Sequence, residues 1–273
     1  MTLDLDAYFA RVRYRGSAAP TVETLAALHA LHPAAIPFEN LDPLLRRPVR
    51  LDATTLQDKL VTGGRGGYCY EHNLLFAGVL RALGFSVRGL AARVLWNAPA
   101  DAVRPRSHML LRVDLDGVPY VADVGFGGLT LPAPLRLETG VEQVTPHEPF
   151  RLVRSGPDVV MQARVRGAWA SLYRFGEEEH LPVDFEVANW YVSTHPDSHF
   201  LKSLMVARAL PGVRYALLNG TLTTYRASGE PTRQRLASGA DIRALLASTF
   251  EINVRDLPGL DDALQRLIEP VRT

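Results

Sequence analysis

One cysteine, eight histidines and a loop of four glycines carry most of the chemistry that this 273-residue chain could perform. Cys69 follows Gly63-Gly64-Arg65-Gly66-Gly67 and falls in the first turn of the helix that the loop leads into. Unpaired backbone N–H groups and the positive end of the helix dipole favour a thiolate there, the form of sulfur that attacks a carbonyl carbon. By type alone a lone cysteine reads as a small buried hydrophobe. The glycine approach, along which a ligand can come close to the backbone, turns the reading toward a nucleophile. The same glycines do not make a nucleotide loop, because Gly64-Arg65-Gly66-Gly67-Tyr68-Cys69 lacks the third glycine of GxGxxG and no GxxxxGK[ST] occurs.

A thiolate nucleophile needs a base and a group that orients the base. His108 begins the run Met109 to Leu115, which Asp116-Gly117 joins to Val118 to Val124. A two-residue turn there sets Leu115 against Val118, His108 opposite Gly125 and Asp123 diagonal to His108 on the same face, at a Cβ separation of roughly 7 Å. The opposite face carries Met109, Leu111, Val113, Leu115, Val118, Tyr120, Ala122 and Val124, an apolar set that fixes the register. Pro119 then occupies a pair without mutual hydrogen bonds, where its missing N–H is tolerated. The other histidines have weaker claims. His72 lies one turn beyond Cys69 with nothing nearby in sequence to orient it. His29 and His32 precede Pro33 without a carboxylate and read as solvated or partly buried. His195 and His199 are separated by Pro196 and lack the glutamate of a metal-binding HExxH, while His147 and His180 have no distinctive context.

The elements that must position these residues change period near residue 85. Tyr8, Phe9 and Val12, then Leu25, Leu28 and Leu31, recur at helical spacing, with Thr21 placed to cap and Pro33 expected just beyond the end. Asp52 caps a short helix with Leu56 and Leu60, and a further helix runs from near Cys69 to Gly84. From Phe85 to about Phe175 short alternating segments are separated by Asp116-Gly117, Gly156-Pro157-Asp158 and Arg166-Gly167, which predicts hairpins closing into a barrel. Asn219-Gly220 marks another hairpin, and helical segments follow around Asp241 to Ser248 and Asp261 to Ile268. The expected class is α+β, in three parts: a helical bundle at 1–84, a β-barrel at 85–188 and a mixed α/β segment at 189–273.

Composition bounds the partners. With 47% hydrophobic and 22% charged residues the chain can bury a core, and a net charge of +1 offers no basic field for nucleic acid or an anionic membrane. No apolar run approaches the roughly 20 residues of a membrane span, and Asp4 and Asp6 stand where a signal peptide would be basic. A single cysteine cannot form an internal disulfide, so the expectation is a cytoplasmic protein.

Ile36-Pro37-Phe38-Glu39-Asn40-Leu41, Arg65-Gly66-Gly67-Tyr68-Cys69-Tyr70-Glu71, Ser107-His108-Met109-Leu110-Leu111, Asp123-Val124-Gly125-Phe126-Gly127 and Asn189-Trp190-Tyr191-Val192-Ser193-Thr194-His195-Pro196 together resemble the arylamine N-acetyltransferase family. These stretches span most of the chain in the family's order. The resemblance implies a Cys-His-Asp triad on Cys69, His108 and Asp123, and a papain-like arrangement in which the bundle presents cysteine, the barrel presents histidine and aspartate, and the C-terminal segment acts as a lid. It implies acetyl-CoA as cosubstrate without a metal, and an arylamine or arylhydrazine as acceptor, by a ping-pong route through an acetyl-cysteine. It nominates Phe38 and Phe126 for the aromatic slot, and Gly125, Gly127 and Gly128 as glycines beside the acyl donor. Tyr70 and His72 stand where relatives often have Phe and Gln or Leu. The residues by themselves leave open a cysteine peptidase, amidase or amide synthase, or a noncatalytic binding protein with a structural Cys69. They do not separate detoxification from a biosynthetic role and leave the oligomeric state unassigned.

Overall fold

Side-chain caps open the N-terminal helices: Asp4 accepts from Ala7 N before α1 (Leu5–Val12), and Thr21 from Thr24 N before α2 (Val22–Ala35). The computed structural model describes residues 3–99, 102–226 and 229–268. A two-residue strand β1 (Phe38–Glu39) and a single turn α3 (Leu41–Leu44) come next. Asp52 caps α4 (Ala53–Leu56), which widens into a π-helical turn over Gln57–Thr62 before the glycine loop and α5 (Cys69–Ala82). Gly84, at φ +90°, turns the chain after α5 as its position predicts.

Pro33 does not end its helix. It lies inside α2, which runs on to Ala35, and Ile36 N still reaches His32 O. Proline removes one N–H, the donor to residue 29, while burial of Leu28, His29, His32 and Pro33 itself holds the last turn in place. His29 and His32 are likewise fully buried rather than solvated.

Eight strands make an antiparallel barrel-like sheet. They are β2 (Ser86–Val94), β3 (Arg106–Leu115), β4 (Val118–Ala122), β5 (Leu135–Arg136), β6 (Glu142–Gln143), β7 (Phe150–Ser155), β8 (Asp158–Val165) and β9 (Ala168–Phe175), in the order β5-β4-β3-β2-β9-β8-β7-β6. The β3–β4 pairing sets Leu115 against Val118 and Leu111 against Ala122, the predicted register, around a turn in which Asp116 and Gly117 both have positive φ. The two edges are bridged by one amide: Gln143 Oε1 accepts from Arg136 N and Gln143 Nε2 donates to Arg136 O, both at 2.9 Å. The sheet is therefore nearly closed, as the alternating pattern predicts.

Helix α6 (Pro182–Thr194) and a 3-10 turn (His199–Leu201) lead to β10 (Met205–Leu210), β11 (Val213–Leu218), β12 (Thr221–Arg226), β13 (Thr232–Arg235), α7 (Gly239–Ser248) and α8 (Leu260–Ile268). Asn219-Gly220 forms the predicted hairpin. The second sheet runs β1-β10-β11-β12-β13, so Phe38-Glu39 of the N-terminal segment supplies its edge.

Three apolar clusters hold these parts. One joins the N-terminal helices to the Met109, Leu111, Val113, Ala122 and Val124 face of β3 and β4. A second fills the barrel around Leu110, Val121, Phe150, Met161 and Phe175, and a third packs α7 and α8 on the C-terminal sheet. Each fully buried Leu, Val or Phe in them contributes about 2 kcal/mol. Near His108 both faces of β3 are thus covered, which is why His108 and Asp123 are cut off from water. Among the described residues no helix is long and apolar enough to cross a membrane.

Candidate active site

The glycine loop lies in close contacts that only glycine permits. A Cβ on Gly66 would lie 2.0 Å from Pro37 O, and one on Gly67 would lie 2.7 Å from Glu71 Oε2. Glu39 N donates to Gly67 O at 2.7 Å, so the loop lies along β1, and Tyr68 N donates to Glu71 Oε2 at 3.1 Å as α5 begins. Cys69 is the first residue of that helix and is buried.

Beneath the loop lies a cluster that sequence reasoning missed. Arg65 pairs with Glu39 at 2.6 Å and Asp42 at 3.4 Å, and Lys59 reaches Asp42 and Glu71, each at 2.6 Å. Three carboxylates share these two cations, and the more exposed Arg47 also lies 3.5 Å from Asp42. Burial, which favours the neutral acid, outweighs Lys59 and pushes the Glu71 carboxyl up to about 7, while Glu71, Glu39 and Asp42 overcome the burial penalty on Lys59 and keep it protonated. No local sequence signal pairs residues 39, 42, 59, 65 and 71; their only shared mark is proximity to the glycine loop.

Opposite the helix start, His108 Nε2 meets Asp123 Oδ2 at 2.7 Å, both buried. Nε2 is engaged by the carboxylate, which leaves Nδ1 as the ring nitrogen not held by Asp123. Burial alone would lower the imidazole pKa, but the Asp123 charge and hydrogen bond, with Cys69, raise it to about 10. Asp123 is held below its usual range: burial opposes ionisation, and His108, Gly125 N and Asn73 together overcome it. Cys69 Sγ also lies 3.8 Å from Ser107 O.

Asn73 was not singled out from the sequence, although its position one turn beyond Cys69 on the same helix face was the available signal. Its Nδ2 donates to Met109 O at 2.8 Å and to Asp123 Oδ1 at 3.1 Å, and its Oδ1 accepts from Val124 N at 3.2 Å. One amide thereby ties α5 to β3 and to the segment that follows β4. His72 turns away from the thiol and closes a buried chain: Tyr8 O–H to His32 Nδ1 at 2.8 Å, His32 Nε2 to His72 Nδ1 at 2.9 Å, and His72 Nε2 to Pro37 O at 3.2 Å. Pro37 O can only accept, so the protons run one way along the chain with both imidazoles neutral.

Phe126 packs edge-on to His108, with ring centroids 5.1 Å apart, and Tyr173 lies against both rings. Phe38 is parallel to the His72 ring and flanked by Phe200. A Cβ on Gly127, the residue after Phe126, would touch the Phe38 ring at 3.6 Å. Gly125 has a packing reason of its own: a Cβ there would lie 2.9 Å from Cys69 Cα. Gly128 faces Ala216 of β11.

A sequence profile of the N-acetyltransferase family matches residues 21–257. An arylamine N-acetyltransferase of Mycobacterium tuberculosis is 46% identical over 273 residues, covering 98% of this chain and 96% of that one. The chain belongs to the arylamine N-acetyltransferase family. Its solved structural relatives include the arylamine N-acetyltransferase of Mycobacterium marinum, with a TM-score of 0.95 and 45% identity over 97% of this chain and all of that one. The same M. marinum enzyme in complex with CoA aligns with a TM-score of 0.95 and 44% identity, covering 97% of this chain and 100% of that one. The α+β arrangement and the family membership read from the motifs agree with these relatives.

Proposed function

We propose that this chain transfers an acetyl group from acetyl-CoA to an arylamine or arylhydrazine through an acetyl group carried on Cys69, with His108 and Asp123 completing the catalytic triad. The observation that carries the reading is the buried His108–Asp123 pair at 2.7 Å, with the Cys69 thiol at the start of a helix and 3.8 Å from the carbonyl oxygen of the residue before His108. The relatives' printed activity and the CoA complex of the M. marinum enzyme support the donor and the acceptor class.

In the first half-reaction the Cys69 thiolate attacks the acetyl carbonyl carbon of acetyl-CoA. The carbon–sulfur bond to CoA breaks and the departing thiolate takes the proton from His108, leaving acetyl-cysteine, CoA thiol and a neutral imidazole. One thioester replaces another, so the step is close to balanced in energy. In the second, the lone pair of the amine nitrogen attacks the acetyl-cysteine, His108 takes the N–H proton, and the Cys69 thiolate leaves as the amide forms. Asp123 holds Nε2–H, keeps Nδ1 toward sulfur and stabilises the imidazolium at each turnover. Arylamines are weak bases and stay uncharged at neutral pH, so their lone pair is available without prior deprotonation.

Phe38 and Phe126 supply apolar walls for the aromatic acceptor, and the Gly125, Gly127 and Gly128 backbone provides close approach for the acyl donor. Segment 1–84 carries the nucleophile and 85–188 the base and its partner. Segment 189–273 covers the site and limits loss of the acetyl group to water. The lone cysteine supports a cytoplasmic location, and the near-zero net charge favours small-molecule partners over nucleic acid or a membrane surface.

Intact-protein mass spectrometry tests the reading. Wild type given acetyl-CoA alone gains one acetyl group, Cys69→Ser gains none, and an arylhydrazine then removes the group from wild type. Acetylation of the serine variant, or none of wild type, overturns it.

A further inference from the structure

Strand pairing along β4 stops at Ala122, and the next main-chain N–H, that of Asp123, leaves the sheet for a side chain of α2. It donates to His29 Nε2 at 3.0 Å. The amide carries the proton, so Nε2 is bare and the ring's own proton sits on Nδ1. His29 is completely buried, its ring is set edge-on to Phe76, and Nδ1 finds no hydrogen-bond partner among the described residues. A phenylalanine or leucine at this position would remove the unpaired Nδ1 but would leave the buried Asp123 N–H without its acceptor. The fold keeps an imidazole there, with one nitrogen unpaired, where the other meets the backbone of Asp123.

The other grips on Asp123 act on its carboxylate: His108 on Oδ2, and Asn73 and Gly125 N on Oδ1. Those groups keep the carboxylate and the imidazole together but leave the Asp123 N–H to be held from elsewhere. We infer that His29 is a positioning residue of the reaction, anchoring the main chain of Asp123 from α2 so that the carboxylate holds His108 in line with Cys69. The inference rests on the triad reading above. Misplacement of a reacting group by about 1 Å can cost on the order of 100-fold in rate, so an anchor one residue from the carboxylate is well placed to matter.

Two measurements on the full-length protein test it. In uniformly 15N-labelled wild type, a scalar coupling across the hydrogen bond between Asp123 N and His29 Nε2, with His29 in the Nδ1–H form, is expected; its absence overturns the inference without any variant. In single-turnover acetylation, His29→Phe is expected to slow acetyl-cysteine formation by about 10- to 100-fold and to shift or broaden the low-field proton resonance of His108 Nε2–H. His29→Gln, whose Oε1 can accept the same N–H, is expected to restore the resonance and return the rate to within about threefold of wild type. If His29→Phe lowers only the melting temperature and leaves rate and resonance unchanged, His29 is a packing residue and the inference falls. Asp123→Asn measured alongside separates the two levels. Impairment there with normal His29→Phe removes only the role of His29, whereas normal acetylation by Asp123→Asn removes the triad reading and this inference with it.

Discussion

Asp123 stays ionised without water because three donors converge on its two oxygens: His108 Nε2, Asn73 Nδ2 and Gly125 N. The same charge raises the His108 imidazole to about 10, which makes it an imidazolium beside the thiol at neutral pH. A raised histidine stabilises the fold fully below its unfolded value of about 6.5 and loses that contribution as pH climbs through about 10. Replacing Asp123 by Asn removes the charge while keeping the shape. Acetylation of Cys69 should fall by about 10⁴-fold and the His108 titration should move down, read by stopped-flow acetylation and by imidazole NMR. His29, His32 and His72 behave in the opposite sense. Burial lowers all three, His29 and His72 to about 4, so the unfolded chain binds more protons between about pH 6.5 and 4. Stability should therefore drain away as pH falls through that window, by on the order of 3 kcal/mol each for His29 and His72 once fully titrated. Urea unfolding at pH 7 and pH 5 checks this. His72→Gln, which can keep both hydrogen bonds without titrating, should flatten the dependence.

Elements were legible wherever a local rule had no tertiary competitor. The β3–β4 hairpin is the clearest case: Asp116-Gly117 dictates a two-residue turn, the apolar alternation dictates the register, and together they bring His108 and Asp123 to one face. The misreadings have a common cause. Pro33 should stop a helix by local sterics, yet burial of α2 against the core carries it two residues further. The short strand β1 has no pattern of its own and exists because β10, far along the chain, pairs with it. Glycines on the hairpin and on the loop after it make a matched pair of tests. At Gly117, with φ +76° and open space around it, alanine should cost about 1 kcal/mol through backbone strain and leave acetylation unchanged. At Gly125, alanine would press on Cys69 Cα and Cys69 O. It should cost about 1–3 kcal/mol and also slow acetylation, because the displaced atoms belong to the proposed nucleophile. Thermal unfolding and single-turnover rates on the two variants distinguish the outcomes.

At the scale of the whole molecule, Asn40 ties the N-terminal segment to the stretch that leads into β10. Its Nδ2 donates to Phe200 O at 2.9 Å and Ser203 O at 2.7 Å, and its Oδ1 accepts from Met205 N at 2.7 Å. Asn40→Ala leaves these buried or half-buried groups unpaired and should cost about 2–3 kcal/mol, with hydrogen exchange at residues 199–205 rising before the rest of the protein unfolds. A uniform rise across all amides would show that Asn40 does not act locally on that segment. The charge cluster of Glu39, Asp42, Lys59, Arg65 and Glu71 works similarly, converting separate stretches into one platform beneath the glycine loop. The amino-acid sequence alone determined the helix start that carries Cys69, the hairpin that unites His108 with Asp123, and the family to which both belong, because caps, two-residue turns and alternation act between near neighbours. Only the tertiary structure decided which partners hold that site: Asn73 and His29 on Asp123, the buried Tyr8–His32–His72 chain, and the five-residue ion cluster. Their side chains meet across gaps in the chain that no local pattern spans, and what selects them is the demand that every polar group shut away from water find a partner.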